Sequence, residues 1–135
     1  MARSLTYLAL DVGERRIGVA VGDNTVRIAM PLETVEVNGK ELEEIARIIT
    51  WQDASVLVIG YPRNQSGEAT RQTEYVERFA EGLKDMADEI VFQDESLTSV
   101  IAEQRLKETK KAYTKGDIDS HAASIILQDY LEGIK

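Results

Sequence analysis

The short apolar run SVLVIG, at residues 55–60, constrains the fold of this chain more than any other segment. A strand without polar alternation is typical of a sheet that is covered on both faces. Before this run, apolar residues recur at positions 42, 45, 46 and 49, the spacing of an amphipathic helix that continues to about Trp51. After it, a long helix is predicted with its apolar stripe at Val76, Phe79, Ala80, Leu83 and Ala87. An α/β fold is therefore expected.

Strands and helices alternate through the rest of the chain. Strands are predicted at residues 5–11 and 16–21 with a turn at Gly13 between them, in the segment IAMPLETVEV, and at residues 89–95. Helices are predicted at about residues 97–109 and from about Asp119 to Leu131. The last helix is apolar on most faces, so we expect it to pack flat across the sheet. The element order βββαβαβαα implies a mixed sheet of five strands flanked by helices.

Length and composition narrow the class of protein. A chain of 135 residues is expected to form one domain over residues 1–135. No apolar run approaches the roughly 20 residues of a membrane helix. The start MARSLTYLALDV lacks the pattern of a signal peptide, so a cytoplasmic protein with no membrane partner is expected. The chain has no cysteine, which excludes a disulfide framework and a thiolate metal site.

The charge of the chain is unusual for a protein that binds phosphates. A formal net charge of -8 counts against a nucleic-acid partner without excluding one. The distribution of charge matters more than its sum. Arg15 and Arg16 follow the first strand, and a basic stretch runs from Arg105 to Lys115. That stretch is either a solvated helix end that complements the helix dipole or part of a phosphate-binding surface.

Acidic residues lie where strands end and where the last helix begins. Asp11 ends the first strand, Asp94 and Glu95 end the last strand, and Asp117 and Asp119 open the last helix. Ligand sites of α/β sheets cluster beyond the carboxyl ends of the strands. If the first and last strands are neighbours and the last helix crosses their ends, three carboxylates converge from distant parts of the sequence.

Converging carboxylates repel one another unless a cation lies between them. Oxygen ligands of this kind suit Mg²⁺ or Mn²⁺. Two such ions about 4 Å apart would stabilise both oxygens of an in-line phosphoryl displacement. The absence of cysteine and of a histidine pair disfavours zinc.

Each of these features also has an ordinary structural interpretation. A D-x-G sequence after a strand is commonly a turn, and an acid beyond a strand is commonly a solvated loop residue. One of Asp117 and Asp119 is expected to cap the last helix. His121 is either a proton shuttle or a residue that packs on that helix.

Four blocks of sequence distinguish between these interpretations when they are taken together. They are LALDVGERRIGVAVGD with PLETV behind it, VIGYPRNQSGEATRQTEYVERFAEGL, FQDESLTSVIAEQRL, and DIDSHAASIILQDYL. In this order and spacing they resemble the YqgF (RuvX) family, the Holliday-junction-resolvase-like proteins of the RNase H-like superfamily. The resemblance covers almost the whole chain.

The resemblance implies a fold, an activity and a set of site residues. The fold is an RNase H-like five-stranded mixed sheet with flanking helices. The activity is that of a divalent-metal-dependent nuclease that matures the 5′ end of 16S ribosomal RNA. The family's acidic positions fall on Asp11, Glu95 and Asp119, which would be both catalytic residues and metal ligands. Asp117 lies outside the pattern and is left either as a cap or as a group outside the ligands. One departure is visible, because Ser96 stands where the family usually has an arginine.

The substrate is expected to be pre-ribosomal RNA or a branched DNA junction, bound by a monomer or a homodimer. Binding is assigned to a local basic rim with two residues closer to the site: Arg15, Arg16, Lys110, Lys111 and Lys115, with Asn64 and Arg71. Three alternatives remain open. The chain could be a Holliday junction resolvase of DNA repair, an actin-like nucleotide-phosphate-binding protein that would need a second lobe, or a noncatalytic RNA-associated protein.

Overall fold

In the computed structural model, five strands form one mixed sheet in the order β3-β2-β1-β4-β5. The structure describes residues 4–61, 71–94, 104–109 and 113–134. The strands are β1 (Thr6–Val12), β2 (Arg16–Asp23), β3 (Met30–Glu36), β4 (Val56–Tyr61) and β5 (Glu89–Asp94). The predicted fold class is confirmed.

Three helices have bounds within the described residues. They are α1 (Glu41–Gln52), α2 (Arg71–Glu81) and α3 (Lys115–Gly133). Residues 104–108 are helical as well, which reproduces the predicted order βββαβαβαα. Over the described ranges, no helix is long and apolar enough to cross a membrane.

The sheet is mixed because β1 runs antiparallel to β2 and parallel to β4. β4 in turn runs parallel to β5. The first and last strands are not neighbours, as the predicted convergence of three carboxylates had required, since β4 lies between them. The carboxyl ends of β1, β4 and β5 nevertheless meet at one edge of the sheet, because parallel strands end on the same side.

Helices cover both faces of the central strands. Alternate residues of β1 belong to different cores: Leu8 and Leu10 pack with α1 and α2, whereas Tyr7 and Ala9 pack with α3. In β4, residues 56–60 are all buried. The apolar run that predicted a two-sided strand is therefore the centre of the molecule, as expected from its lack of polar alternation.

Two helix boundaries differ from the prediction. α2 ends at Glu81, before Leu83 and Ala87, although Leu83 is still fully buried and Ala87 still packs against the same core. The amide of Gly82 donates to the carbonyls of Arg78 and Phe79, and turns follow. The apolar stripe identified the core residues correctly, but burial alone does not require a helix. α3 begins at Lys115, four positions before the predicted start.

A close approach of backbones fixes the position of α3 on the sheet. A Cβ atom on Gly18 of β2 would lie 1.9 Å from the carbonyl oxygen of Asp119. Further along β2, a Cβ on Gly22 would lie 3.1 Å from Leu131 and 3.3 Å from Leu127. α3 therefore runs along β2, and its first turns lie at the edge of the sheet where β1 ends.

Replacing Gly18 by alanine tests this contact. The new methyl group cannot fit without moving α3 away from the sheet, so Gly18→Ala should lower the free energy of unfolding by about 3 kcal/mol. The loss is measured from the urea midpoint at constant slope.

Gly133→Ala is the matched control. No heavy atom lies within 4 Å of the Cβ position at Gly133, so the change should stay within about 0.5 kcal/mol. Equal midpoints for the two variants would contradict the close approach at Gly18.

Candidate active site

The candidate site lies at the edge of the sheet where the parallel strands end. Asp11 is the second-last residue of β1 and is half-buried. Side chains alternate between the two faces along a strand, so Asp11 lies on the same face as Tyr7 and Ala9. This is the face that α3 covers. Asp94, the last residue of β5, lies on the same face as Ile90, four residues earlier. Ile90 packs in the core of the opposite face of the sheet. Strand alternation therefore separates Asp94 from Asp11.

Asp119 reaches the same place from the far end of the chain. Its backbone rests on Gly18, and Gly18 is the register partner of Asp11 across the β1–β2 ladder. Asp11 and Asp119 thus lie at neighbouring positions on one face of the sheet. The predicted approach of these two acids is consistent with this placement.

Further hydrogen bonds hold the first turn of α3 in place. The hydroxyl of Thr34 in β3 donates to the carbonyl of Gly116 over 2.7 Å. At the N-terminus of α3, the Thr114 hydroxyl accepts from the amide of Asp117 at 3.1 Å, and the Asp117 carboxylate accepts from the amide of Thr114 at 2.9 Å. This reciprocal pair is a capping box. Asp117 therefore takes part in capping α3, but the N-cap itself is Thr114, so the expectation that Asp117 or Asp119 is the N-cap is wrong.

Arg16 contacts Asp119 directly. The Arg16 Nε donates to Oδ2 of Asp119 over 2.7 Å, and the two side chains are 28% and 23% exposed. The hydrogen bond and the charge of Asp119 raise the pKa of Arg16, and the charge of Glu36 adds to this. Arg16 was predicted to bind substrate, but in this structure its partner is an acid of the candidate site.

A cavity of about 340 Å³ opens beside this pair, lined by Gly13, Glu14, Arg15, Arg16, Gln72 and Asp119. The amide of Gly13 donates to the carbonyl of Arg16 and closes the β1–β2 turn. Gln72, in the first turn of α2, donates to the carbonyl of Val12 over 2.9 Å. The cavity therefore lies between the end of β1, the start of α2 and the first turns of α3.

The other predicted residues are placed as follows. Arg15 is exposed in the β1–β2 turn, Arg71 is exposed at the start of α2, and Lys115 is exposed at the start of α3. Glu95, Asn64, Lys110 and Lys111 lie outside the described residues. Within the described ranges, no three His, Asp or Glu side chains are grouped closely enough to hold a metal ion.

His121 is half-buried on α3. Burial lowers its pKa below the usual value, and the charge of Arg105 lowers it further. The half-buried position on α3 is consistent with packing, and the role of proton shuttle stays a prediction.

Sequence reasoning missed Gly18, Gln72 and Thr114. A glycine inside a strand is a signal of close backbone approach, and Gly18 carried that signal. The sequence T-x-x-D before an apolar helix is a form of capping box, and it was present at Thr114–Asp117. Nothing in the sequence indicates that Gln72 reaches the backbone of β1.

Proteins of known family match this chain over nearly its whole length. A family model described as "RuvX: Holliday junction resolvase" matches residues 5–133. A protein of Chloroflexus aurantiacus named "Putative pre-16S rRNA nuclease" is 47% identical over 130 residues, which are 93% of this chain and 85% of that protein. A protein of Synechocystis sp. with the same name is 36% identical over 137 residues, which are 98% and 90% of the two chains.

Solved structures with the same fold are more distant in sequence. Fowlpox virus resolvase, solved with Holliday junction DNA, has a TM-score of 0.61 at 14% identity, and the match covers 95% of this chain and 97% of that one. Thermus thermophilus RuvC, solved with a Holliday junction substrate, has a TM-score of 0.56 at 12% identity over 94% and 93%. These matches show an RNase H-like fold of the resolvase type.

The capping box gives a prediction for stability. Thr114→Ala removes the acceptor for the Asp117 amide, so the free energy of unfolding should fall by about 1 kcal/mol. Urea unfolding measures the loss. Thr50→Ala, at an exposed position of α1, is the matched control and should change stability by no more than about 0.5 kcal/mol. An unchanged urea midpoint for Thr114→Ala would show that this cap does not stabilise the start of α3.

Proposed function

This chain belongs to the RuvX family of Holliday-junction-resolvase proteins, and on that premise we propose that it is a divalent-cation-dependent nuclease for structured nucleic acid. Its substrate is the precursor of 16S ribosomal RNA, which is trimmed at the 5′ end. The catalytic and metal-binding residues are Asp11, Glu95 and Asp119. The names of the sequence relatives support the substrate, and the site supports the chemistry.

The observation that carries this proposal is the packing of Asp119 on Gly18 opposite Asp11. Two acids from opposite ends of the chain are brought to one edge of the sheet by a backbone contact that leaves no room for a side chain. A fold without a use for these acids gains nothing by placing like charges together, because the two carboxylates repel each other.

The donor set fits a hard cation. The described site offers carboxylate oxygens, the chain has no cysteine, and His121 is a lone imidazole on α3. Oxygen donors of this kind suit Mg²⁺ or Mn²⁺. Glu95 follows the last residue of β5 directly and is the third proposed ligand. Bound cations of this class would stabilise charge on the attacking and leaving oxygens of a phosphodiester.

The residues of the chain then have separate roles. Asp11 is held by β1 and Asp119 by α3, so their carboxylates are positioned before substrate arrives. Arg15 lines the cavity beside them, and Lys115 lies at the start of α3. These cations would bind phosphates on either side of the cleaved bond, because guanidinium and ammonium groups are the usual partners of phosphate oxygens. Asn64, Arg71, Lys110 and Lys111 would extend this surface.

A four-way DNA junction is the second candidate substrate. The fold is shared with two resolvases solved with Holliday junctions, and phosphate contacts alone do not select between RNA and DNA. An actin-like nucleotide site is less well supported, because such proteins hold a nucleotide between two lobes and the described residues form one sheet.

Calorimetry should show no ATP binding tighter than about 1 mM.

Amide substitutions test the proposed ligands. Asp11→Asn and Asp119→Asn should each abolish binding of Mn²⁺ and cleavage of pre-16S RNA, because each removes a carboxylate charge from the site. Mn²⁺ binding and cleavage are both measured on the purified proteins. Cleavage of pre-16S RNA and of a four-way DNA junction is assayed in parallel, in the presence and absence of Mn²⁺. Asparagine has nearly the same shape as aspartate, so the Asp11→Asn protein should stay folded, as urea unfolding would verify.

Asp53→Asn is the matched control. Asp53 is exposed at the end of α1 in a left-handed conformation that asparagine tolerates. It lies before β4, at the other end of the sheet, and should keep full activity. Full nuclease activity in the Asp11→Asn protein would contradict the proposed site.

The proposed basic surface makes a prediction about salt. Replacing Lys110, Lys111 and Lys115 by glutamine should weaken binding of structured RNA and flatten its dependence on salt, by up to about 3 in the log-log slope if each lysine contacts one phosphate. Glutamine at Arg47, Arg78 and Lys84, which are exposed elsewhere, changes the net charge equally and should leave the slope within experimental error. An unchanged slope for the first triple variant would remove this loop from the interface.

A further inference from the structure

The carboxylate of Asp119 already has a cationic partner within the chain. The Arg16 Nε lies 2.7 Å from its Oδ2, the distance of a short charge-assisted hydrogen bond. Both side chains are about three-quarters covered, at 28% and 23% exposure. This contact occupies an oxygen of an acid that the proposed function requires as a metal ligand.

The backbone holds the two partners in place. Arg16 is two residues before Gly18 on β2 and therefore lies on the same face of the sheet. Asp119 is fixed by the close packing of α3 on Gly18, and the hydrogen bond from Thr34 to Gly116 restrains the same turn. Glu36, opposite Arg16 in the β2–β3 ladder, adds a favourable Coulomb interaction to the guanidinium. Arg16 is thus positioned by its strand against Asp119.

We infer that Arg16 is a positioning residue with two successive partners: it neutralises Asp119 in the metal-free protein, and it moves to a substrate phosphate when a divalent cation takes that carboxylate. A guanidinium and a metal ion repel each other and compete for the same oxygen. Binding of the metal therefore releases Arg16 from Asp119. This inference rests on the proposed function.

The released guanidinium has a place to act. The contact with Asp119 uses Nε, one of five N–H donors of arginine, and the terminal nitrogens fit the oxygens of a phosphate. Arg16 and Asp119 line the same cavity of about 340 Å³ as Arg15. A phosphate bound there meets Arg15 and the released Arg16 together. Because the two events are linked, metal should increase the affinity for nucleic acid, and nucleic acid should increase the affinity for metal by the same factor.

Calorimetric titration with Mn²⁺ tests the competition directly, without reference to activity. Arg16→Gln removes the competing cation, so Mn²⁺ should bind on the order of threefold more tightly than to the unmodified protein. Arg16→Lys keeps the charge and should bind Mn²⁺ with nearly the original affinity. Arg15→Gln removes a neighbouring charge from the same cavity without touching Asp119, and its effect should be clearly smaller than that of Arg16→Gln. Urea unfolding confirms that each variant is folded.

A second measurement uses the unmodified protein. In an NMR titration with Mg²⁺, the Nε–H resonance of Arg16 should report a strong hydrogen bond without metal and its loss as Mg²⁺ binds. The resonance of Arg47, which pairs with Glu33 and Glu44, serves as the internal reference and should not move.

The outcomes separate this inference from the proposed function. If the unmodified protein binds metal and Arg16→Gln binds it equally or more weakly, or if the Arg16 resonance is unchanged at saturating Mg²⁺, the inference is wrong while the metal site stands. If neither the unmodified protein nor Arg16→Gln binds metal, both are wrong. Tighter binding in Arg16→Gln, no binding in Asp119→Asn, and loss of the Arg16 hydrogen bond together support the exchange.

Discussion

The contact between the backbone of Asp119 and Gly18 determines the candidate site. A Cβ at that position would overlap the helix, so any other residue would push the first turns of α3 off the sheet. Because Gly18 is paired with Asp11, the same contact decides that the two acids lie together. It also places Asp119 beside Arg16, which is two residues before Gly18 on the same strand. The lack of a side chain at Gly18 is therefore as important to this site as the charged side chains are.

An acidic protein that binds nucleic acid must solve an electrostatic problem. With a net charge of -8, the chain repels phosphates at long range, and a proposed site built from carboxylates adds to that repulsion locally. A divalent cation bound at the proposed site would offset most of the local negative charge, and Arg16 offsets part of it without metal. In this view the metal-free protein holds its arginine inward and has little affinity for phosphates. Substrate binding then depends on metal binding.

Sequence patterns predicted most of the fold. The apolar run at residues 55–60 and the flanking helical periods correctly indicated a central strand between two helical layers, because burial imposes a period on each kind of element. The errors occurred where another interaction decides the outcome. α2 ends at Glu81 although its apolar stripe continues, since Leu83 is buried from a turn. α3 begins at Lys115 because the Thr114–Asp117 capping box stabilises an earlier start.

For the site, the sequence by itself determined which residues have suitable chemistry: carboxylates at strand and helix ends, no cysteine, and arginines after β1. Only the tertiary structure decided which of these residues meet. The strand order places β4 between β1 and β5. The alternation of side chains along the strands puts Asp94 and Asp11 on opposite faces of the sheet. The packing of α3 on β2 brings Asp119 into contact with Arg16. These outcomes depend on contacts between segments far apart in the chain, and local periodicity carries no information about such contacts.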